Sequence, residues 1–118
     1  MIDKFQNILA TFRYCGAQDT AYGDYNPKEF GKLHNHCGCV SYALQQMLGG
    51  DIMQGKVNGV SHMWNSIGMV EVDLCSEQFG ATPITFFPNA SGRIVKPRKT
   101  VNKRFQLFWD RVQETYYK

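Results

Sequence analysis

Three side chains of the types that together move an acyl group occur in order along this chain: Cys37, His62 and Asp73. A thiol attacks, an imidazole carries its proton, and a carboxylate holds the imidazole in one tautomer. Cys37 stands at the head of the apolar run Cys39-Val40-Ser41-Tyr42-Ala43-Leu44-Gln45-Gln46-Met47-Leu48, which Gly49-Gly50 closes. A cysteine at a helix start meets unpaired backbone N–H groups and the positive end of the helix dipole, both of which favour thiolate. The same amides form one wall of an oxyanion hole. His62 lies in Gly59-Val60-Ser61-His62-Met63-Trp64-Asn65. A two-residue period puts Val60, His62 and Trp64 on one face, where Trp64 would screen the imidazole from water. Asp73 lies on the face opposite Val70, Val72 and Leu74, which reads as exposed. The strands of His62 and Asp73 are consecutive, which brings the pair within reach across one ladder.

Each of these residues also has a plainer reading. A free cysteine is among the most buried residue types, a lone histidine can be bonded to backbone in a core, and a carboxylate on a strand can simply face water. A metal site is the sharpest chemical rival, since His34-Asn35-His36-Cys37-Gly38-Cys39 packs four potential ligands into six residues. Zinc favours Cys and His, but structural sites space paired ligands by about two to five residues, and here each pair is separated by one. No metal and no cofactor is therefore assigned.

The elements that must position these groups follow from periodicity. Ile2, Phe5, Ile8, Leu9 and Phe12 predict an amphipathic helix over 2–13. Residues 14–36 show no clear period, except that Asn26 and Pro27 read as the cap and first position of a short helix through Phe30. The second main helix runs from about Cys37 or Gly38 to Leu48, with Val40, Ala43, Leu44, Met47 and Leu48 as its stripe. Three strands follow, Asp51 to Val57, Val60 to Ile67 and Met69 to Leu74, with Asn58-Gly59 as a hairpin signal between the first two. Ser76 to Phe79 reads as a short helical turn closed by Gly80, and Ile84 to Phe87 as a further strand stopped by Pro88-Asn89. Val101, Phe105, Phe108, Trp109 and Val112 stripe a closing helix over about 101–115. Helices, an antiparallel meander and a C-terminal helix make an α+β fold, read as one domain over 1–118.

Composition narrows the function classes. With 118 residues, 43% hydrophobic and 14% aromatic, the chain can build one modest core and is not disordered. No apolar run approaches the roughly 20 residues of a membrane span. Met1-Ile2-Asp3-Lys4-Phe5 lacks the basic stretch and apolar run of a secretory signal, so a cytoplasmic protein with reduced thiols is expected. Net charge of +3 does not argue for nucleic acid. Lys96, Arg98, Lys99, Lys103 and Arg104 do concentrate, yet no stacking platform accompanies them, and a solvated loop and first helical turn explains the run.

Three segments carry a family resemblance: Cys37 to Gly50, then Gly59-Val60-Ser61-His62-Met63-Trp64-Asn65, then Glu71-Val72-Asp73-Leu74-Cys75-Ser76-Glu77-Gln78-Phe79. Together they resemble the YunG-like family of small bacterial and phage proteins, itself similar to the papain-like and transglutaminase-like thiol enzymes. The resemblance extends more faintly to Asp19-Thr20-Ala21 and to the helix from Asn102 to Val112. It implies a papain-like minimal domain with Cys37 as nucleophile, His62 as base and Asp73 as orienter. It selects Cys37 over Cys39 by the distance to Gly49-Gly50. Gln78 matches a family glutamine, and Cys75 stands where the family has threonine. The family usually has Gly-Gln before the cysteine, whereas this chain has Asn35-His36, so an oxyanion hole would draw on Asn35 or His36.

These readings converge on a cysteine-dependent acyl-transfer enzyme whose substrate is a peptide, a protein or a small amide. Trp64, Asn65, Asn35, His36 and Gln78 are the expected substrate-binding or oxyanion residues. The alternative is a binding or inhibitory protein, of the kind a phage would encode, that keeps the fold without turnover. Tyr14, Tyr22, Tyr25 and Phe30 would then offer its contact surface, although the same residues serve equally as a loop covering the core.

Overall fold

The computed structural model describes residues 2–86, 92–95 and 102–118. Helix α1 spans Ile2–Cys15 and buries Phe5, Ile8, Leu9, Phe12 and Cys15, so the predicted stripe continues one turn further than its apolar pattern suggested. Helix α2, Pro27–Phe30, is a single turn whose Asn26 side chain accepts the Glu29 N–H at 3.2 Å. Helix α3, Cys37–Leu48, starts on the candidate nucleophile. It ends at Gly49 and Gly50, whose φ angles of 75° and 81° suit residues without Cβ.

Strands β1 (Asp51–Val57), β2 (Val60–Ile67) and β3 (Val70–Asp73) form the expected antiparallel meander. At the first hairpin Asn58 and Gly59 both take positive φ, 51° and 77°, the geometry that the Asn-Gly pair favours. A 3-10 turn at Ser76–Phe79 leads to β4, Thr85–Phe86. The predicted strand began one residue earlier, at Ile84, and its predicted end, Phe87, lies outside the described residues. Strand β5, Gly92–Val95, was not anticipated, because Gly-Arg-Ile-Val shows no alternation. It pairs with β1 at the sheet edge, where the partner's backbone, rather than a buried face, holds it. The sheet order is β4-β3-β2-β1-β5, antiparallel throughout.

Helix α4 spans Lys103–Tyr116, capped by Asn102, whose side chain accepts the Arg104 N–H at 2.8 Å. Val101, predicted to begin this helix, lies outside the described residues, as do Lys96, Arg98 and Lys99 of the basic run. Helix α3 packs on β2, and α4 packs against both α3 and α1. Phe12, Leu44, Val72, Phe108 and Val112 are fully or almost fully buried in the shared core. The fold is therefore α+β, and its core fixes the start of α3 against the sheet. No helix among the described residues is long and apolar enough to cross a membrane.

Candidate active site

The local sequence explains why His62 and Asp73 meet. The β2–β3 register pairs Asn65 with Val72, so continuing it sets Asp73 level with Trp64 and one diagonal step from His62. The face of β3 that reads as exposed in the sequence is covered here, and Asp73 is only 4% accessible. His62 Nε2 and Asp73 Oδ2 are 2.7 Å apart in a buried hydrogen bond. The other carboxylate oxygen, Oδ1, accepts the Cys75 backbone N–H at 2.8 Å, which prevents the side chain from rotating away. Trp64 stacks beside the imidazole, ring centroids 6.2 Å apart, and its indole N–H donates to Glu71 at 2.8 Å. Phe79 closes the imidazole from another side, edge-on at 4.9 Å.

Burial by itself would drive a proton off His62. The hydrogen bond to Asp73 and the neighbouring Cys37 thiol, with the charges of both, outweigh that cost and raise the imidazole from 6.5 to about 9. Asp73 engages Nε2, so Nδ1 is the ring nitrogen left for the thiol. Cys37 is the first residue of α3 and is partly exposed, whereas Cys15, Cys39 and Cys75 are buried. Burial pushes the Cys39 thiol up to about 12 and the Cys75 thiol well above its ordinary value. Val40 N–H bonds back to His36 O, but the earlier amides of the first turn have no acceptor within the helix.

Gln78 joins this group through its side-chain amide. Asn35 turns through a left-handed conformation, φ 57°, and its backbone N–H donates to Gln78 Oε1 at 3.2 Å. That bond orients Gln78 Nε2 toward His62, 3.5 Å from Nδ1. Asn35 thus contributes its backbone, while its side chain donates to the Asp24 carbonyl at 2.6 Å and points elsewhere.

Two residues expected at the site are held apart from it. His36 is fully buried, with Nδ1 2.8 Å from the His34 carbonyl and Nε2 2.6 Å from Thr20 Oγ1. Both nitrogens are engaged, and no face is left for a substrate. Asn65 is buried between α3 and β2, where its Nδ2 donates to the Ser41 carbonyl at 2.9 Å. It fastens the helix to the sheet, since successive strand residues point to opposite faces. His34, His36, Cys37 and Cys39 diverge as well. His34 Nδ1 accepts the Asn26 N–H at 2.9 Å, and Cys39 Sγ donates to the Thr20 carbonyl at 3.3 Å. Among the described residues, no three His, Cys, Asp or Glu side chains gather where a metal ion could be held.

Phe79 and Glu71 act on the imidazole and its indole neighbour without having been singled out. Glu71 was legible in principle, because alternation places it on the face of Asp73. Phe79 was not, because a short turn carries no period.

A family model described as YunG protein matches residues 4–117. The chain belongs to the YunG family. No curated protein and no solved structure matches it. For this YunG-family chain, the match extends over all the groups just described, from the first helix to the last.

Proposed function

We propose that this YunG-family protein is a cysteine-dependent acyl-transfer enzyme of papain-like type, acting on an amide bond in a peptide, a protein or a smaller molecule. The observation that carries the reading is the buried His62–Asp73 bond of 2.7 Å, with the partly exposed Cys37 thiol among the neighbours that raise the same imidazole. A histidine raised to about 9 is an imidazolium at neutral pH. In this proposal the cycle begins with imidazolium at His62 beside a thiolate at Cys37, so that His62 acts first as a general acid.

In the first step Cys37 Sγ attacks the acyl carbon, and the carbonyl electron pair moves to oxygen. The protonated Nδ1–H of His62 cannot accept a hydrogen bond, so the N–H of Gln78 beside it is free to donate to that oxyanion. The unpaired amides at the start of α3 supply a second donor. As the carbon–nitrogen bond breaks, His62 gives its proton to the departing amine and a thioester remains on Cys37. Neutral His62 then takes a proton from water, or from an acceptor amine. The resulting nucleophile displaces the sulfur, releasing a carboxylic acid or a new amide and restoring thiolate and imidazolium. Asp73 keeps the Nε2–H throughout, and Trp64 and Phe79 keep water from the ring. Four free thiols suit a reducing cytoplasm.

Iodoacetamide labelling across pH, read residue by residue by mass spectrometry, tests the proposal. Selective alkylation of Cys37 at mildly acidic pH, lost in His62→Ala, is the expected result. Equally slow labelling of all four cysteines would leave the fold as a non-catalytic scaffold.

A further inference from the structure

Arg104, on the first turn of α4, is held beside this site without a use in the chemistry above. Its Nη1 donates to the Thr20 carbonyl at 3.3 Å, its only side-chain hydrogen bond among the described residues. The guanidinium carbon lies 5.1 Å from the Tyr22 ring centroid and 5.5 Å from that of Phe105. Two aromatic faces and one carbonyl fix the group, yet leave most of its five N–H donors open. No ion pair among the described residues involves it; the neighbouring arginines Arg13 and Arg111 are paired with Glu77 and Asp19. The sequence around it supplies no carboxylate either, since no Asp or Glu occurs between Glu77 and Asp110.

The two residues that hold Arg104 also meet the chain on either side of Cys37, Tyr22 through its backbone and Phe105 through its ring. Tyr22 N–H donates to the Asn35 carbonyl at 2.9 Å, two residues before Cys37. Phe105 occupies the space beside Gly38, the residue after Cys37, where a Cβ would lie 2.6 Å from its ring. The cation is therefore anchored beside the first turn of α3, next to the residues that flank Cys37. An arginine is weakly hydrated and forks onto carboxylates, so a fixed, unpaired one there selects anions.

We infer that Arg104 is the specificity-determining residue of this site, recognising a carboxylate on the residue adjoining the scissile amide. The inference rests on the thiol chemistry proposed above and names its substrate class: acidic amides, with the charge on either a side chain or a terminal carboxylate.

Two alkylating reagents that differ only by this charge provide the test. Iodoacetate and iodoacetamide both transfer a two-carbon unit to sulfur and release iodide, but only iodoacetate carries a carboxylate. The ratio of their rates at Cys37 is expected to fall about fivefold in Arg104→Gln and to be largely retained in Arg104→Lys. Lys103→Gln makes the same net-charge change at an exposed neighbour and should lower the ratio less than about twofold. An equal fall in Arg104→Gln and Lys103→Gln would reduce the effect to the general basic field and overturn the inference; so would no fall in either. Slow labelling of Cys37 by both reagents would instead overturn the thiol chemistry, and this inference with it.

The source of the carboxylate is read from protection of Cys37 against iodoacetamide. N-acetylglutamine presents a terminal carboxylate and N-acetylisoglutamine a side-chain one. Arg104-dependent protection by one of them assigns the source, and by both assigns the carboxylate alone. Protection by neither would overturn the assignment for amide ligands.

Discussion

Two histidine–cysteine neighbourhoods hang from the first turn of α3, and they differ in one partner. On one side Cys37 faces His62, which is bonded to Asp73; on the other Cys39 and His36 both bond Thr20, one at its carbonyl and one at its hydroxyl. Both histidines are fully buried. Beside a carboxylate and a thiol, His62 is raised to about 9, whereas burial lowers His36, whose partners are a hydroxyl and a carbonyl. Burial discourages a charge equally in both places, and only an opposite charge offsets it. The same residue type thus favours its charged form in one place and its neutral form in the other.

The sharpest way to break this contrast is to remove each imidazole. His62→Ala is expected to slow alkylation of Cys37 by about tenfold or more, through loss of the charge that stabilises thiolate. His36→Ala should instead cost stability, about 2–4 kcal/mol in urea unfolding, because it leaves a cavity and unpaired polar groups. If both substitutions slowed Cys37 alike, the two neighbourhoods would be one functional unit.

Next in size is the carboxylate itself. In Asp73→Asn the His62 ring resonances should titrate about two pH units below their wild-type midpoint near 9, while those of His36 stay in place. An unchanged His62 midpoint would remove the carboxylate from the account.

The pH dependence of stability should carry both signatures on opposite limbs. His62 holds a proton in the native state that the unfolded chain releases above 6.5, so its contribution is complete below 6.5. It is lost as pH rises through about 9, on the order of 3 kcal/mol. His36 is held below 6.5, so its contribution is complete above that value and is lost as pH falls. Asp73→Asn should flatten the alkaline limb and His36→Gln the acid one, measured by thermal unfolding against pH. Limbs that respond to the opposite variants would reverse the assignment.

The smallest expected effect is that of Thr20→Val. Loss of the hydroxyl leaves His36 Nε2 without its partner at a cost of about 1–2 kcal/mol, with Cys37 alkylation kept within about twofold. A larger slowing at Cys37 would show that the strut also tunes the thiol.

Much of this molecule was legible in its sequence because local patterning wrote it. The stripes of α1, α3 and α4, the Asn58-Gly59 turn, the Asn26 cap and the three meander strands each follow from period or turn chemistry within a few residues. So does the proximity of His62 and Asp73, since consecutive strands must pair. Strand β5 was not legible, because an edge strand of four residues is defined by the backbone of its partner, far away in sequence.

What only the tertiary structure decided is which of two similar residues meets which partner. Sequence placed His36 beside the thiol, but packing turned its ring toward Thr20, and it placed Asn65 at the site where alternation and α3 instead drew it into the core. Gln78 reaches His62 only because Asn35, forty-three positions earlier, adopts a left-handed turn that orients its amide. Residue types and periods specify which elements form and which chemistry is affordable. Whether a buried imidazole is charged depends on what lies within a hydrogen bond of it, and in this chain the folded packing alone sets that distance.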